Sequence, residues 1–481
     1  MALSDGQILA QNTWWNNPDW RAADPHLTLL DRQPRRFSTA FVAGLDLDRE
    51  GIHSLRGPRQ VGKTTDLKLL AGRAIESGRQ PQSVIYLTFD LIEGQPHAAL
   101  AETVVRAKAL ARHTGPSLIL LDEVTALARW QTAVKALWDD GSIRDDVVVC
   151  TGSSAIDLQR GAAERLPGRR GGGGDHLALP QSFAEFARAV DSSIPASPEL
   201  TVAQLVAPTG QEALLDARRH GPALADALDR YLLFGGLPAA VAEAVAGAAQ
   251  PSEEVKRVLY DSLVREVQRR GAGIPATHAL LERVLRSLGS KTNWSQMAKE
   301  MAVPLGRRGG AASHHTLRDY IELLAGGYFL FIAYFWKANA PTNSLSKDKK
   351  VFFADPLLHT IALDHVPGFA ADIPALIENM VGFTLYRRYE PQERLIETFN
   401  TPERLHIWQS AKGGEVDFVA GPRGALDPVE VKYRTHIDRR GPAAMARAHP
   451  GRPGVVATKN DMSFADAYSL VPAHLLLWAL G

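Results

Sequence analysis

Gly57-Pro58-Arg59-Gln60-Val61-Gly62-Lys63-Thr64, with Thr65 directly after it, is the stretch that decides how this chain is read. The first eight residues follow one pattern: glycine, any four residues, glycine, lysine, and then serine or threonine. With 40 glycines among 481 residues, ~0.02 such matches are expected by chance. The flanks agree with the pattern. Residues 52–55 predict a short apolar strand in front, and residues 64–77 predict a helix behind. Gly57 and Gly62 free the backbone to turn its N–H groups toward one point, and the start of the helix adds its positive end. A loop of this kind cradles phosphates. Lys63 reaches the β and γ phosphates, and the Thr64 hydroxyl offers itself to a magnesium ion. The expected ligands are therefore ATP and Mg2+. Gly57, Pro58, Arg59, Gln60, Val61, Gly62, Lys63, Thr64 and Thr65 are the expected binding residues.

Reading outward, residues 118–121 form a four-residue apolar run, as in a strand covered on both faces. It ends at Asp122-Glu123. Asp122 is placed to hold Mg2+, and Glu123 to polarise an attacking water. A further strand, residues 147–150, runs into Thr151-Gly152-Ser153-Ser154. A polar residue at that exit can touch the γ-phosphate and the water, with Ser153 the first candidate and Thr151 the second; the alternative is an ordinary turn. Arg165, Arg169 and Arg170 lie in ERLPGRRGGGG. Arg169 is the favoured arginine finger, completing the site of a neighbouring subunit, against a solvated basic loop. With a strand at 84–89 and a helix at 98–113, strands and helices alternate, which predicts an α/β fold on a parallel sheet.

The remaining composition narrows the classes. A chain of 481 residues exceeds one ordinary core, so several domains are expected. The formal net charge of +1 excludes a polycation, and any nucleic-acid contact must come from local patches. A single cysteine excludes a disulfide framework and a cysteine-based zinc site, and it fits a reducing cytoplasm. The opening MALSDGQILAQNTWW has no basic start followed by an apolar stretch, so it does not read as a signal peptide. Residues 323–336 are apolar but shorter than the ~20 residues a spanning helix needs. Gly326-Gly327 would stop a helix there, and the aromatic run behind it suits a strand. No membrane partner is expected. Trp14, Trp15 and Trp20 mark an N-terminal arm and read as buried anchors rather than base-stacking platforms.

The order of motifs along the chain adds a resemblance. GPRQVGKTT, LILLDE, TGSSAIDL, LPGRR, LPQSFAEF, YLLFGGLPAAV, KVFFADPLL, GGEVDFV and PVEVKY occur in sequence. In this the chain resembles a prokaryotic family of AAA+-like ATPases with a C-terminal domain of unknown function, DUF4143, over about residues 36–435. Behind the N-terminal arm (1–35), the resemblance implies an AAA+-type P-loop core (36–188) and a helical lid (189–270). It further implies a winged-helix module (271–345) and an α/β domain similar to PD-(D/E)xK nucleases (346–481). One departure is the basic, glycine-rich PLGRRGGAA at 304–312, where the family's winged helix has a tight turn.

Residues in the last two segments support this. Trp294 opens a helix with apolar Met297, Ala298 and Met301. Ser313 can cap a second helix over 314–325, with Leu317, Tyr320, Ile321 and Leu324 on one face. His314, His315 and Arg318 fall on the other face. With Arg307 and Arg308 they are the candidate DNA contacts, against a spacer that meets protein instead. In Glu415-Val416-Asp417-Phe418-Val419 and Val429-Glu430-Val431-Lys432-Tyr433, side-chain alternation puts Asp417, Glu430 and Lys432 on polar faces. That matches the D…E-x-K set, with Glu378 on a predicted helix over 375–388. The carboxylates of Glu378, Asp417 and Glu430 would bind Mg2+ and Lys432 would orient the water. The alternatives are a retained DNA-binding platform or a half-buried hairpin with its charges in solvent.

The sequence therefore predicts an ATP-hydrolysing motor or switch acting on DNA, in branch migration, repair or defence against mobile elements. It is expected to form a homo-oligomeric ring, with a hexamer as the candidate size. The competing classes are a nucleotide-dependent signalling or scaffolding switch and a protein-remodelling ATPase. The latter needs an aromatic pore loop, and none is evident between Asp90 and Ser117.

Overall fold

The computed structural model describes residues 1–32, 40–92, 94–152, 171–301, 313–336, 348–391, 401–409, 415–434, 451–452, 454–464 and 468–481. The chain forms two compact units, Met1–Leu179 and Pro180–Gly481.

The first unit is built on β1 (Gly51–Arg56), β2 (Val84–Thr88), β3 (Leu118–Asp122), β4 (Val147–Gly152) and β5 (Asp175–Leu177). Among the described residues these make one sheet in the order β2-β3-β4-β1-β5, every pairing parallel. The apolar runs dictate this arrangement. Leu118 to Leu121 and Val147 to Cys150 are buried throughout, which a strand achieves only with helices on both faces of its sheet. β1 and β2 are consecutive in sequence but lie apart, with β4 and β3 between them. The chain reverses its direction of travel beside β1, and the crevice beyond the strand ends at such a point is where α/β sheets place ligands.

Helix α1 (Asp5–Gln11) belongs to the N-terminal arm, while α2 (Lys63–Glu76), α3 (Ala98–Ala111) and α4 (Trp130–Asp139) connect the strands. The arm covers the free edge of β2. Helix α1 starts in a capping box between Ser4 and Gln7. The Asn12 side chain then brackets the backbone of Tyr86, accepting from its N–H at 2.7 Å and donating to its carbonyl at 2.9 Å. Trp14 and Trp15 both donate their ring N–H to the Val84 carbonyl at 2.9 Å. Trp14, Trp15 and Trp20 are all buried, so they serve as anchors on an otherwise open sheet edge.

The second unit opens with helices, among them α5 (Phe183–Val190) and α6 (Gly221–Phe234). Helices α7 (Ile274–Ser287), α8 (Trp294–Lys299) and α9 (His314–Gly326) follow, then the antiparallel pair β6 (Leu330–Phe335) and β7 (Lys349–Phe353). Ser313 caps α9 by accepting from the Thr316 N–H, and Leu317, Tyr320, Ile321 and Leu324 line its buried face. The helix stops at Gly326, but neither glycine takes the left-handed turn. Gly327 stays at φ −80°, and Tyr328 adopts φ 64° instead. Burial of the tyrosine side chain offsets the cost of that backbone geometry. No described helix is long and apolar enough to cross a membrane.

Strands β8 (Leu405–Gln409), β9 (Glu415–Ala420), β10 (Asp427–Lys432), β11 (Gly454–Thr458), β12 (Ser463–Phe464) and β13 (Tyr468–Pro472) complete a mixed sheet. Its order is β12-β13-β11-β10-β9-β8-β6-β7. Helices α10 (Pro356–His365), α11 (Ile373–Tyr389) and α12 (Ala473–Leu480) accompany it. β7 and β9 stand three places apart, roughly 14 Å in a flat sheet. Yet the rings of Phe352 and Phe418 lie 5.8 Å apart, so the sheet curls back and brings β7 against β9.

Two of the sequence motifs meet in this unit. Gly235 adopts φ 67°, and a Cβ there would lie 1.9 Å from Asp355 Oδ1. The Gly236 N–H donates to Asp355 Oδ2 at 2.8 Å, and Asp355 also caps α10 through the Leu357 N–H. Only glycine allows that approach. Burial pushes the Asp355 carboxyl up to about 6.

Candidate functional site

The glycine loop leaves β1 and enters helix α2. Gly62 sits at φ 97°, a left-handed geometry that favours glycine. A Cβ on Gly57 would lie 2.2 Å from the Ala178 carbonyl oxygen, so the loop is pinned close against the backbone beyond β5. The Lys63 ammonium is buried and donates to the carbonyls of Gly57 at 3.1 Å and Pro58 at 2.9 Å. Burial lowers its pKa, while the charges of Glu123 and Asp122 oppose that shift.

Asp122 ends β3 and is held by three hydroxyls. Its Oδ2 accepts from Thr64 Oγ1 and from the Tyr86 hydroxyl, each at 2.8 Å, and its Oδ1 accepts from Thr151 Oγ1. Thr151 Oγ1 in turn accepts from the Glu123 N–H at 3.1 Å. Glu123 takes a left-handed backbone at φ 49°, an uncommon geometry for a non-glycine residue and one that clusters at functional sites. Thr64 and Asp122 thus set a hydroxyl and a carboxylate side by side at the mouth of the loop, which suits a hard cation such as Mg2+. Ser153, Arg165, Arg169 and Arg170 lie outside the described residues.

On α9, His314 and His315 are exposed, their rings 4.0 Å apart. The Arg318 guanidinium is engaged by Glu322 at 2.7 Å, one turn on. Arg307 and Arg308 lie outside the described residues.

In the mixed sheet, Asp417 on β9 and Glu430 on β10 are buried, so these two charges do not face solvent, whereas Glu415 at the start of β9 does. Asp417 Oδ2 accepts from the Val431 N–H at 2.9 Å, and Glu430 Oε2 accepts from the Asp417 N–H at 3.3 Å. Lys432 pairs with Glu430 Oε1 at 2.5 Å. Glu378, from α11, comes to the same place, where a second lysine stands between it and Asp417. Lys350, from β7, reaches Glu378 Oε1 at 2.7 Å, Asp417 Oδ1 at 2.9 Å and Glu415 Oε1 at 3.5 Å. Burial and the Asp417 charge push Glu378 up to about 8, and the same two causes push Glu430 up to about 7. Burial alone would lower Lys350, but Asp417 and Glu378 hold it above its ordinary value. Among the described residues no three His, Cys, Asp or Glu side chains gather so as to hold a metal ion. Among Glu378, Asp417 and Glu430, the carboxylates expected to hold Mg2+, stands the Lys350 ammonium, between Glu378 and Asp417.

Residues 49–187 match a family described as an AAA domain. Residues 225–365 match a domain of unknown function, DUF8612, and residues 375–476 match another, DUF4143. No curated protein matches this chain. Among solved structures, it is similar to the Aeropyrum pernix ORC1 protein in complex with DNA, at 16% identity and TM-score 0.28, over 68% of this chain and 89% of that one. The Aeropyrum pernix ORC2 protein matches at 12% identity and TM-score 0.30, over 66% and 88%. A Thermotoga maritima RuvB variant matches at 12% identity and TM-score 0.26, over 68% and 89%.

Two participants are given no role by the sequence. In the first unit, Tyr86 sits inside a buried strand and belongs to no motif, yet its hydroxyl meets Asp122. Lys68 stacks over its ring at 3.7 Å and pairs with Asp24 of the arm at 3.5 Å. The run Asp24, Lys68, Tyr86, Asp122 joins the arm to the nucleotide loop. Beside the DUF4143 match, Lys350 opens the KVFFADPLL motif, but nothing in its spacing ties it to Asp417. Only the curl of the sheet brings it to Asp417.

Proposed function

We propose that this chain is an ATP-hydrolysing AAA+-like motor or switch that acts on DNA, in branch migration, repair or defence against mobile elements. The observation that carries the ATPase reading is the shared Asp122 Oδ2, which accepts from Thr64 of the glycine loop at 2.8 Å. Mg2+ arriving with ATP would be held by Thr64 and Asp122 and would neutralise phosphate charge. The chain's own residues do the rest. Lys63, now on loop carbonyls, turns to the β and γ phosphates. Thr151 fixes the Glu123 N–H, so the Glu123 carboxylate can stand at the γ-phosphate side and take a proton from the attacking water. Ser153 and a trans Arg169 belong to the same reading, as does a cytoplasmic homo-oligomeric ring with a hexamer as its candidate size.

The order of elements over 274–335 supports the DNA reading. Helices α7, α8 and α9 and strand β6 follow one another as in a winged helix. His314 and His315 lie on the exposed side of its third helix. Helix α11 with β9 and β10 supports a nuclease-like fold, used here as a DNA-binding platform. The proposed segments keep the boundaries 1–35, 36–188, 189–270, 271–345 and 346–481.

The test is ATP turnover measured with single-stranded, duplex and branched DNA, at low and at moderate salt. Stimulation by one of these forms, weakening with salt, is expected. Indifference to every form would favour a signalling or scaffolding switch instead.

A further inference from the structure

We infer that Lys350 takes the place of a divalent cation, so that the Glu378–Asp417–Glu430–Lys432 set works without metal and ties strand β7 to the carboxylate strands rather than cutting DNA. This rests on the nuclease-like reading of the second unit, but not on the ATPase reading of the first.

The argument begins with charge. Asp417 and Glu378 are buried or nearly so, and carboxylates taken out of water need a cationic partner or a proton. In a metal-dependent site that partner is the ion. Here the Lys350 side chain is 1% exposed and bonds both carboxylates, at 2.7 and 2.9 Å. An ion bridging the same two oxygens would need oxygen distances of roughly 2.0–2.1 Å for Mg2+. It would then stand in near contact with the ammonium, with no room for water between to screen the repulsion. The remaining oxygen of Asp417 and both oxygens of Glu430 are also engaged. Asp417 Oδ2 accepts from the Val431 N–H, Glu430 Oε2 from the Asp417 N–H, and Glu430 Oε1 from Lys432.

Lys350 is also fixed in place, so it cannot easily withdraw. Its neighbour Lys349 pairs through both backbone groups with Thr292, at 2.9 Å each. Further along β7, Asn379 of α11 brackets Phe353, accepting from its N–H at 2.9 Å and donating to its carbonyl at 2.8 Å. Asn379 follows Glu378 directly, so the helix that supplies the carboxylate also clamps the strand that supplies the lysine. The ammonium therefore belongs to the fold, and its removal is what would open the carboxylates to an ion.

The experiment is Mn2+ titration of the full chain without nucleotide, with free Mn2+ read by electron paramagnetic resonance. Wild type and Asp417→Asn are expected to bind the same amount of Mn2+. Lys350→Met is expected to bind one further ion per chain, which Lys350→Met combined with Asp417→Asn loses again. A wild type that binds one ion more than Asp417→Asn would overturn the inference. So would metal-dependent DNA cutting by wild type that disappears in Asp417→Asn, or a folded Lys350→Met that gains no ion. If Lys350→Met does not fold, the comparison of wild type with Asp417→Asn and with Glu378→Gln decides. ATP turnover, measured on the same samples, reports separately on the first unit.

Discussion

The Tyr86 hydroxyl and the Thr64 hydroxyl donate to the same oxygen of Asp122, each at 2.8 Å. One hydroxyl comes from the glycine-loop helix and the other from a neighbouring strand that the N-terminal arm covers. Asp122 is thereby oriented from two sides. Tyr86→Phe keeps the ring, its packing and the Lys68 contact, and removes only the hydroxyl. It is expected to reduce kcat about tenfold, the scale of one hydrogen bond to a charged group, with ATP affinity little changed. Steady-state kinetics decide. An unchanged kcat would make Tyr86 a packing residue only.

Loss of Lys63 and loss of Glu123 are expected to separate binding from chemistry. Lys63→Ala should abolish ATP binding, because the ammonium now resting on the Gly57 and Pro58 carbonyls is the cation of the loop. Glu123→Gln should bind ATP normally and slow hydrolysis by about 10² to 10⁴, as for a positioned acid–base group. Equilibrium binding of a fluorescent nucleotide and single-turnover hydrolysis read the two steps. Normal hydrolysis in Glu123→Gln would move the water-activating role to another residue.

For DNA, the exposed His314 and His315 should matter more than Arg318, whose guanidinium Glu322 already engages. Replacing both histidines with alanine should weaken duplex binding, and neutralising Arg307 and Arg308 should add to this. Each phosphate left without its cation should flatten the plot of log affinity against log salt by about 0.9. Fluorescence anisotropy across a salt series measures it. Equal affinity and slope in all variants would place the DNA-binding surface off α9.

Asp355 gives a pH dependence. Its carboxyl is pushed up to about 6 by burial, from an ordinary 3.8. The folded state therefore holds a proton that the unfolded chain releases first. The stability tied to this group is fully present below pH 3.8 and is lost as pH rises toward 6. The whole loss amounts to about 3 kcal/mol, at 1.36 kcal/mol for each unit of pKa. Asp355→Asn cannot ionise, so urea unfolding of the variant should show a shallower decline between these pH values than wild type. Parallel declines in the two proteins would assign the pH dependence to other groups.

The nucleotide site is legible in the sequence because its chemistry is local. Gly57, Gly62, Lys63 and Thr64 act within one strand–loop–helix turn, and Asp122-Glu123 closes an apolar run whose burial on both faces already implies a parallel sheet. The capping serine before α9 and the buried face of that helix are legible for the same reason: they depend on neighbours three and four residues away. Pairings across the chain are not. The spacing of Gly235 and Asp355 carries no period, and only packing explains why a glycine must face that carboxylate. The left-handed turn after α9 falls on Tyr328 rather than on a glycine, because burial of the ring outweighs backbone preference. Lys350 shows the limit most clearly. Local alternation predicts that Asp417, Glu430 and Lys432 share polar faces, yet the partner of Asp417 comes from a strand three places away in the sheet. Sequence determines which side chains are charged and which face of a strand they occupy. The curl of the sheet decides which charges meet, because it is set by the summed twist and packing of all its strands.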